Sequence, residues 1–194
     1  AKITGNITFS NAVDINGSGS QVKAAFDAID SNANATANIT GTDYTVAQLK
    51  AINDATAGAI VLAAPTANLT GSVSDTVDAF AGTVTTNTGT ITFDDNAGVN
   101  ITATDITNLN AKITGNITFS NAVDINGSGA QVKAAFDVID SNANATANIT
   151  GTDYTVAQLK AINDATAGEI VLADPSAGLS GDSSDIVDAF AGTV

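Results

Sequence analysis

The apolar positions of this chain change period several times, and the changes recur. Val22, Ala25, Phe26 and Ile29 stand at i, i+3, i+4 and i+7, which is one face of a helix. Ser18 is the N-cap ahead of that run; Ser20 is the weaker choice, because the second copy of the segment carries Ala130 in its place. Thr45-x-x-Gln48 has capping-box spacing and predicts a second helix that buries Val46 and Leu49 and stops at Gly58. A third, shorter helix is expected with Ser74 as cap, Val77 and Phe80 facing inward and Gly82 ending it. A fourth rests on Asp105, Ile106 and Leu109. The short runs Ile7-Thr8-Phe9, Ile60-Val61-Leu62 and Ile91-Thr92-Phe93 read as strands.

A degenerate anchor recurs through this pattern: an aliphatic residue, Thr or Asn, a small residue, then Ser or Thr. It reads Ile15-Asn16-Gly17-Ser18, Ile39-Thr40-Gly41-Thr42, Leu69-Thr70-Gly71-Ser72 and Ile101-Thr102-Ala103-Thr104, and Ile125 restarts the cycle. The spacings are 24, 30, 32 and 24 residues, and they make up a larger period of 110. Ala1–Val84 returns as Ala111–Val194 with ten differences in 84 positions. The domain reading is therefore 1–110 as a first repeat of four units and 111–194 as a second, truncated repeat of three.

One such unit has a single sheet edge and one helical stripe, so it cannot bury its apolar face alone; stacked neighbours bury both. The expected fold is α/β, a right-handed β/α solenoid of stacked 24–32-residue strand–turn–strand–short-helix units with a parallel sheet. The short helices are the crossovers that parallel strands require. The alternative is two compact α/β domains joined by Thr85–Asn110, but that segment carries a strand run and an anchor of its own. Six of the ten differences between the copies fall from Ala64 to Val73. Glu169, Asp174 and Asp182 must lie in water, because an unpaired buried carboxylate is strongly penalised. Ile170, Val171, Leu172, Leu179, Val187 and Phe190 are the expected core between them.

Composition removes most chemistry. The 194 residues include no His, Cys, Met, Trp or Arg; the six cations are all Lys (Lys2, Lys23, Lys50, Lys112, Lys133, Lys160) and the net charge is -14. Such a charge repels nucleic acid and anionic membranes and keeps a crowded polymer soluble. The longest strongly apolar run, Ile60–Ala64, is far too short to span a bilayer. The absence of Cys excludes disulfides and thiolate zinc sites and leaves the compartment open. Because the chain opens at Ala1 and its second repeat stops mid-period, it is expected to be a window of a longer or processed polypeptide. Ala1-Lys2-Ile3-Thr4-Gly5-Asn6 is expected to enter directly into a strand. The end after Val194 is expected to be a socket for a strand like Thr85–Phe93.

Without His or Cys the usual general bases and soft nucleophiles are missing, so no enzyme is expected and no catalytic or cofactor-binding residue is assigned. Calcium is the one ion to weigh. Asp14-Ile15-Asn16-Gly17-Ser18-Gly19 matches the first half of a calcium loop, but position twelve is Ala25 where a bidentate Glu is required. A Gly-rich turn feeding a helix cap explains the same residues. Asp94 and Asp95, with Asn100, form a second oxygen cluster that reads equally well as a solvated turn. Asn-x-Thr sequons stand at Asn6, Asn34, Asn38, Asn68, Asn100, Asn116, Asn144 and Asn148. Asn and Thr are also what strand–turn boundaries use to satisfy backbone groups. An ice-binding face would need an evenly spaced Thr array, and unit lengths of 24–32 residues argue against one.

The run Tyr44-Thr-Val-Ala-Gln-Leu-Lys-Ala-Ile-Asn-Asp-Ala-Thr-Ala-Gly58, followed by Ile60-Val61-Leu62, resembles repeats of very large secreted surface proteins and adhesins of bacteria, cyanobacteria and other aquatic bacteria among them. The resemblance lies in composition and rhythm over the whole chain and carries over no functional residue. It implies an extracellular or cell-surface filament, surface layer or adhesin stalk. Two function classes then compete: a self-assembling structural polymer, and a passive spacer projecting a binding domain elsewhere in a larger protein. An ice- or glycan-binding solenoid is third. The expected partner is the chain itself, head to tail or by strand addition, with cell-surface glycans as a further possibility and neither nucleic acid nor a membrane span.

Overall fold

The structure, a computed structural model, describes residues 5–194, so Lys2 and the strand entry expected over 1–4 lie outside the described residues. Among the described residues, ten strands and seven helices make a mixed α/β protein with parallel sheets. The chain divides into two compact units, Ala1–Ile91 with Ala111–Gly115 and Thr92–Asn110 with Asn116–Val194.

The first unit runs β1 (Asp14–Gly17), α1 (Gly19–Asp27), β2 (Thr36–Ile39), α2 (Val46–Ala55), β3 (Ile60–Leu62), β4 (Leu69–Gly71) and α3 (Val73–Ala79). β1, β2 and β3 pair in parallel in chain order, and a bridge from Ile60 to Val84 extends the ladder. Each parallel step requires a crossover, which α1 and α2 supply. α1 packs on α2 and α2 on α3.

Local chemistry explains why the helices begin where they do. Ser18 accepts from the Gln21 N–H while the Gln21 side chain accepts from the Ser18 N–H, a complete capping box; Thr45 and Gln48 repeat it ahead of α2. Val22 and Phe26 on α1, and Val46, Leu49 and Ile52 on α2, are buried.

Three local expectations are corrected. The cap of α3 is Ser72 and not Ser74: its hydroxyl accepts from Asp75 N–H, so the helix starts two residues early and buries Val73, Thr76, Ala79 and Phe80 while Val77 is only half-buried. Thr76 tolerates burial because its hydroxyl donates to the Ser72 carbonyl at 2.8 Å. Gly58 does not terminate α2; the helix ends at Thr56, in extended conformation, whose hydroxyl donates to Ala35 O at 2.8 Å and accepts from Gly58 N–H at 3.0 Å. Ile7–Phe9 is not a strand but a single bridge from Thr8 to Ser31, whereas its second copy, Ile117–Phe119, is one.

The second unit takes up β5 (Ile91–Phe93, its first residue in the first unit), then β6 (Asn100–Thr102), α4 (Ala103–Asn110), β7 (Ile117–Phe119), β8 (Asp124–Gly127), α5 (Gly129–Val138), β9 (Thr146–Ile149), α6 (Val156–Ala165), β10 (Ile170–Leu172) and α7 (Ser183–Ala189). β6, β8, β9 and β10 form a four-stranded parallel sheet in chain order, and α4 through α7 pack each on the next. The short fourth helix buries Ala103, Ile106 and Leu109. Thr85–Asn110 is not an extended linker, since it carries β5, β6 and α4, and Ile91 and Phe93 are fully buried.

Strand register differs from the anchor spacing. Ile15 lies opposite Ala37 and Ile39 opposite Leu62, so only the anchors Ile101 and Ile125 face each other. Strands paired in these sheets are 22 to 24 residues apart, not 24 to 32. The longer spacings arise because the Leu69 anchor sits in β4, which bonds to the Thr90 carbonyl rather than joining the β1–β3 ladder.

Candidate assembly interface

A recurring pentapeptide, Gly-x-Ile-Thr-Phe, brings one segment onto the previous one. It occurs at Gly5–Phe9, Gly89–Phe93 and Gly115–Phe119. A Cβ built on Gly89 would lie 2.5 Å from the carbonyl carbon of Ala67, and one on Gly115 would lie 2.5 Å from that of Gly89. Carbon atoms pack at about 3.5–4.0 Å, so no side chain fits at either place. The close approach lets Leu69 N–H donate to Thr90 O at 2.8 Å and Thr88 N–H to Pro65 O at 2.6 Å. The Ile and Phe that follow then enter the core. In the second unit Phe119 tilts against Phe93 with ring centroids 5.0 Å apart. The first occurrence is different. A Cβ built on Gly5 would meet no atom within 4 Å beyond its chain neighbours, and Ile7 and Phe9 are only half-buried.

Asn87, a fully buried polar residue, ties this contact together in the first unit. Its carboxamide oxygen accepts from Tyr44 OH at 2.7 Å, and its nitrogen donates to Ala67 O at 3.0 Å and Gly89 O at 3.2 Å. Its own amide donates to Lys112 O and its carbonyl accepts from Thr114 N–H, each at 2.9 Å. Asn87→Ala is expected to destabilise by about 1–3 kcal/mol for each buried group left unpaired, as read by urea denaturation. Burial pushes the Tyr44 phenol above its ordinary value of 10.0. The folded phenol thus keeps its proton to higher pH than the unfolded one. Its contribution is fully present below about pH 10 and falls as pH rises through the folded value. Urea midpoints measured at a series of pH values are expected to lie lower for Tyr44→Phe than for the parent below about pH 10, and the gap is expected to narrow on the alkaline side as the parent loses stability.

The residues of the second copy that match Leu69 and Phe80 are more exposed than their counterparts. Leu69 and Phe80 are 2% exposed, whereas their counterparts are half-buried Leu179 and Phe190 at 41%, and Val187 is 68% exposed. Leu172 is likewise half-buried where Leu62 is buried, and Val171, like Val61, points to the outer side of its strand. Of the expected second-copy core, only Ile170 is therefore buried. In the first unit Thr88 and Thr90 bond to Pro65 and Leu69. Glu169, Asp174 and Asp182 are exposed, as their charge requires. Tyr154 OH donates to the Asp174 carbonyl at 3.0 Å.

The oxygen clusters do not converge. Asn16 donates back to the Asp14 carbonyl at 3.2 Å, and the Ser18 hydroxyl is engaged by Gln21 N–H at 3.3 Å. Asp94 is exposed; the Asp95 carbonyl accepts from the Asn121 side chain at 2.8 Å, and the Asn100 side chain accepts from Asn126 at 2.9 Å. Among the described residues no group of three or more acids forms that could hold a metal ion. Chelator is expected to leave the melting temperature unchanged; a fall of tens of degrees would reinstate Asp14, Asn16 and the Asp94–Asp95 pair as ligands.

Several sequon residues have structural roles. Asn34 and Asn144 adopt left-handed φ of 60° and 61°, a conformation Asn tolerates. The Asn68 side chain accepts from Thr90 N–H at 3.0 Å. Lys50 pairs with Asp78 and Lys160 with Asp188, and these hydrogen bonds raise both ammonium pKa values. No buried side-chain nitrogen or oxygen among the described residues lacks a partner. No helix among them is long and apolar enough to cross a membrane. Comparison with family models, curated proteins and solved structures returns no match for this chain.

Proposed function

We propose that this chain is a structural repeat module of an extracellular surface fibre, surface layer or adhesin, built as a β/α solenoid that joins end to end with copies of itself. The observation that carries the reading is the mode of packing. In each unit parallel strands follow one another at offsets of 22 to 24 residues, and each helix packs on its neighbour in the chain. Such nearest-neighbour packing extends in one dimension without needing a closed core. The extracellular setting is supported by the resemblance of the Tyr44–Gly58 run to bacterial surface repeats. The role proposed is non-catalytic, with no cofactor required.

Purified chain viewed by negative-stain microscopy and light scattering is expected to form end-to-end assemblies. The net charge of -14 opposes sideways clumping at low salt, and divalent cations relieve that repulsion. A compact monomer under every condition would instead favour a passive spacer that projects a binding domain elsewhere in a larger protein.

A further inference from the structure

We propose that the chain carries a self-cleavage site at Asp174–Pro175, where the Asp174 carboxylate displaces the Pro175 nitrogen from its own backbone carbonyl. The inference is independent of the end-to-end reading. It begins from a difference between the copies: Asp174 stands where the first copy has Ala64, each ahead of a proline. Pro65 and Pro175 are the only prolines of the chain, so this is its one Asp–Pro bond. Two contacts prepare it. Asp174 Oδ1 accepts from the Ser176 N–H at 3.0 Å, a bond that spans Pro175 and turns the carboxylate toward the C-terminal side of its own residue. The Ser176 hydroxyl and N–H together hold this carboxyl below its ordinary value of 3.8, so it stays ionised in mild acid. On the other side, Tyr154 OH donates to the Asp174 carbonyl at 3.0 Å. The first copy has the same contact, with Tyr44 OH 3.4 Å from Ala64 O. The tyrosine therefore belongs to the fold of the repeat, and the carboxylate is what the second copy adds.

The step balances without a cofactor or a second substrate other than water. An Asp174 carboxylate oxygen attacks the Asp174 backbone carbonyl carbon and closes a cyclic anhydride, while the Tyr154 hydroxyl donates to the oxygen on which negative charge develops. The C–N bond then breaks. The Pro175 nitrogen, which carries no hydrogen in the chain, takes a proton from solvent and leaves as a basic secondary amine. Water opens the anhydride, so Asp174 ends with two carboxyl groups and Pro175 becomes a new N-terminus. The nucleophile belongs to the residue it attacks, so no binding event precedes the reaction. It occurs once per chain, in the second copy and not in the first. After the cut α7 is held to α6 by packing alone.

Mass spectrometry of the chain held for days in mildly acidic buffer tests the site. The folded parent is expected to yield one fragment ending at Asp174 and one beginning at Pro175, their masses together exceeding the parent by one water. Asp174→Ala restores the residue of the first copy and is expected to fold and to remain whole. Tyr154→Phe is expected to be cut about tenfold more slowly, less than the roughly 10²–10³ of a dedicated oxyanion site because water competes here. Ala64→Asp is expected to add a second cut before Pro65, since Tyr44 already reaches that carbonyl. Parent unfolded in urea loses the contacts from Tyr154 and Ser176, and its cut is expected to slow to that of an unstructured Asp–Pro bond. That comparison needs no variant to fold. A parent that stays whole, or that is cut equally fast in urea, would overturn the proposal. Cutting of Tyr154→Phe at the parent's rate would overturn the part given to the tyrosine.

Discussion

Gly89→Val is expected to destabilise the protein by about 3 kcal/mol, at the upper end for a side chain forced into filled space. The same substitution at Gly5 is expected to leave stability unchanged or to raise it by up to about 1 kcal/mol. Both glycines begin the same Gly-x-Ile-Thr-Phe segment, so strand propensity and unfolded-state entropy affect them alike. Those effects favour valine, by about 0.4–1 kcal/mol for the entropy. They are outweighed at Gly89, where a Cβ would stand 2.5 Å from the Ala67 carbonyl carbon, and unopposed at Gly5, where a Cβ would meet no atom within 4 Å beyond the chain neighbours. Urea denaturation followed by circular dichroism separates the two. Equal losses would mean that the close backbone approach at Gly89 is not what excludes a side chain there.

Phe80→Ala is expected to lower stability by about 3–5 kcal/mol, and Phe26→Ala by a similar amount, because each ring is almost wholly buried and leaves a cavity. Phe190→Ala is expected to lower it by only about 1 kcal/mol, since a 41% exposed ring buries less area and leaves an open notch instead of a void. The comparison is stringent because Val77–Val84 and Val187–Val194 are identical in sequence. Each effect belongs to the transition of the unit that contains the residue. A Phe190→Ala loss as large as that of Phe80→Ala would show the second-copy face to be covered in solution. Repeating the measurement across protein concentration tells whether another copy covers it.

The helices were legible wherever their signals are local. Ser18 with Gln21 and Thr45 with Gln48 are reciprocal bonds spanning three residues, and no distant partner is needed to form them. The α3 cap was misread because Ser72 and Ser74 are both able caps. Choosing between them sets which side of the helix is buried, and Val73, Thr76, Ala79 and Phe80 suit the interior only from Ser72. Of the candidate interface, the Ile-Thr-Phe runs were visible as strands. Their preceding glycine was not singled out, although its recurrence at Gly5, Gly89 and Gly115 was there to be found.

Duplication, helix caps, the α/β alternation and the lack of thiols and imidazoles all follow from the order of residues alone, because each is a property of composition or of neighbours in the chain. Register, the burial of Asn87 and the crowding at Gly89 do not. They depend on a backbone 20 or more residues away, as when Asn87 meets Ala67 or Tyr44. Phe80 and Phe190 mark the division most sharply. Their local sequences are the same, so propensity and pattern assign them one environment. Hydrophobic burial, however, is set by what else occupies the space beside a ring, and only the tertiary structure covers Phe80 while leaving Phe190 open.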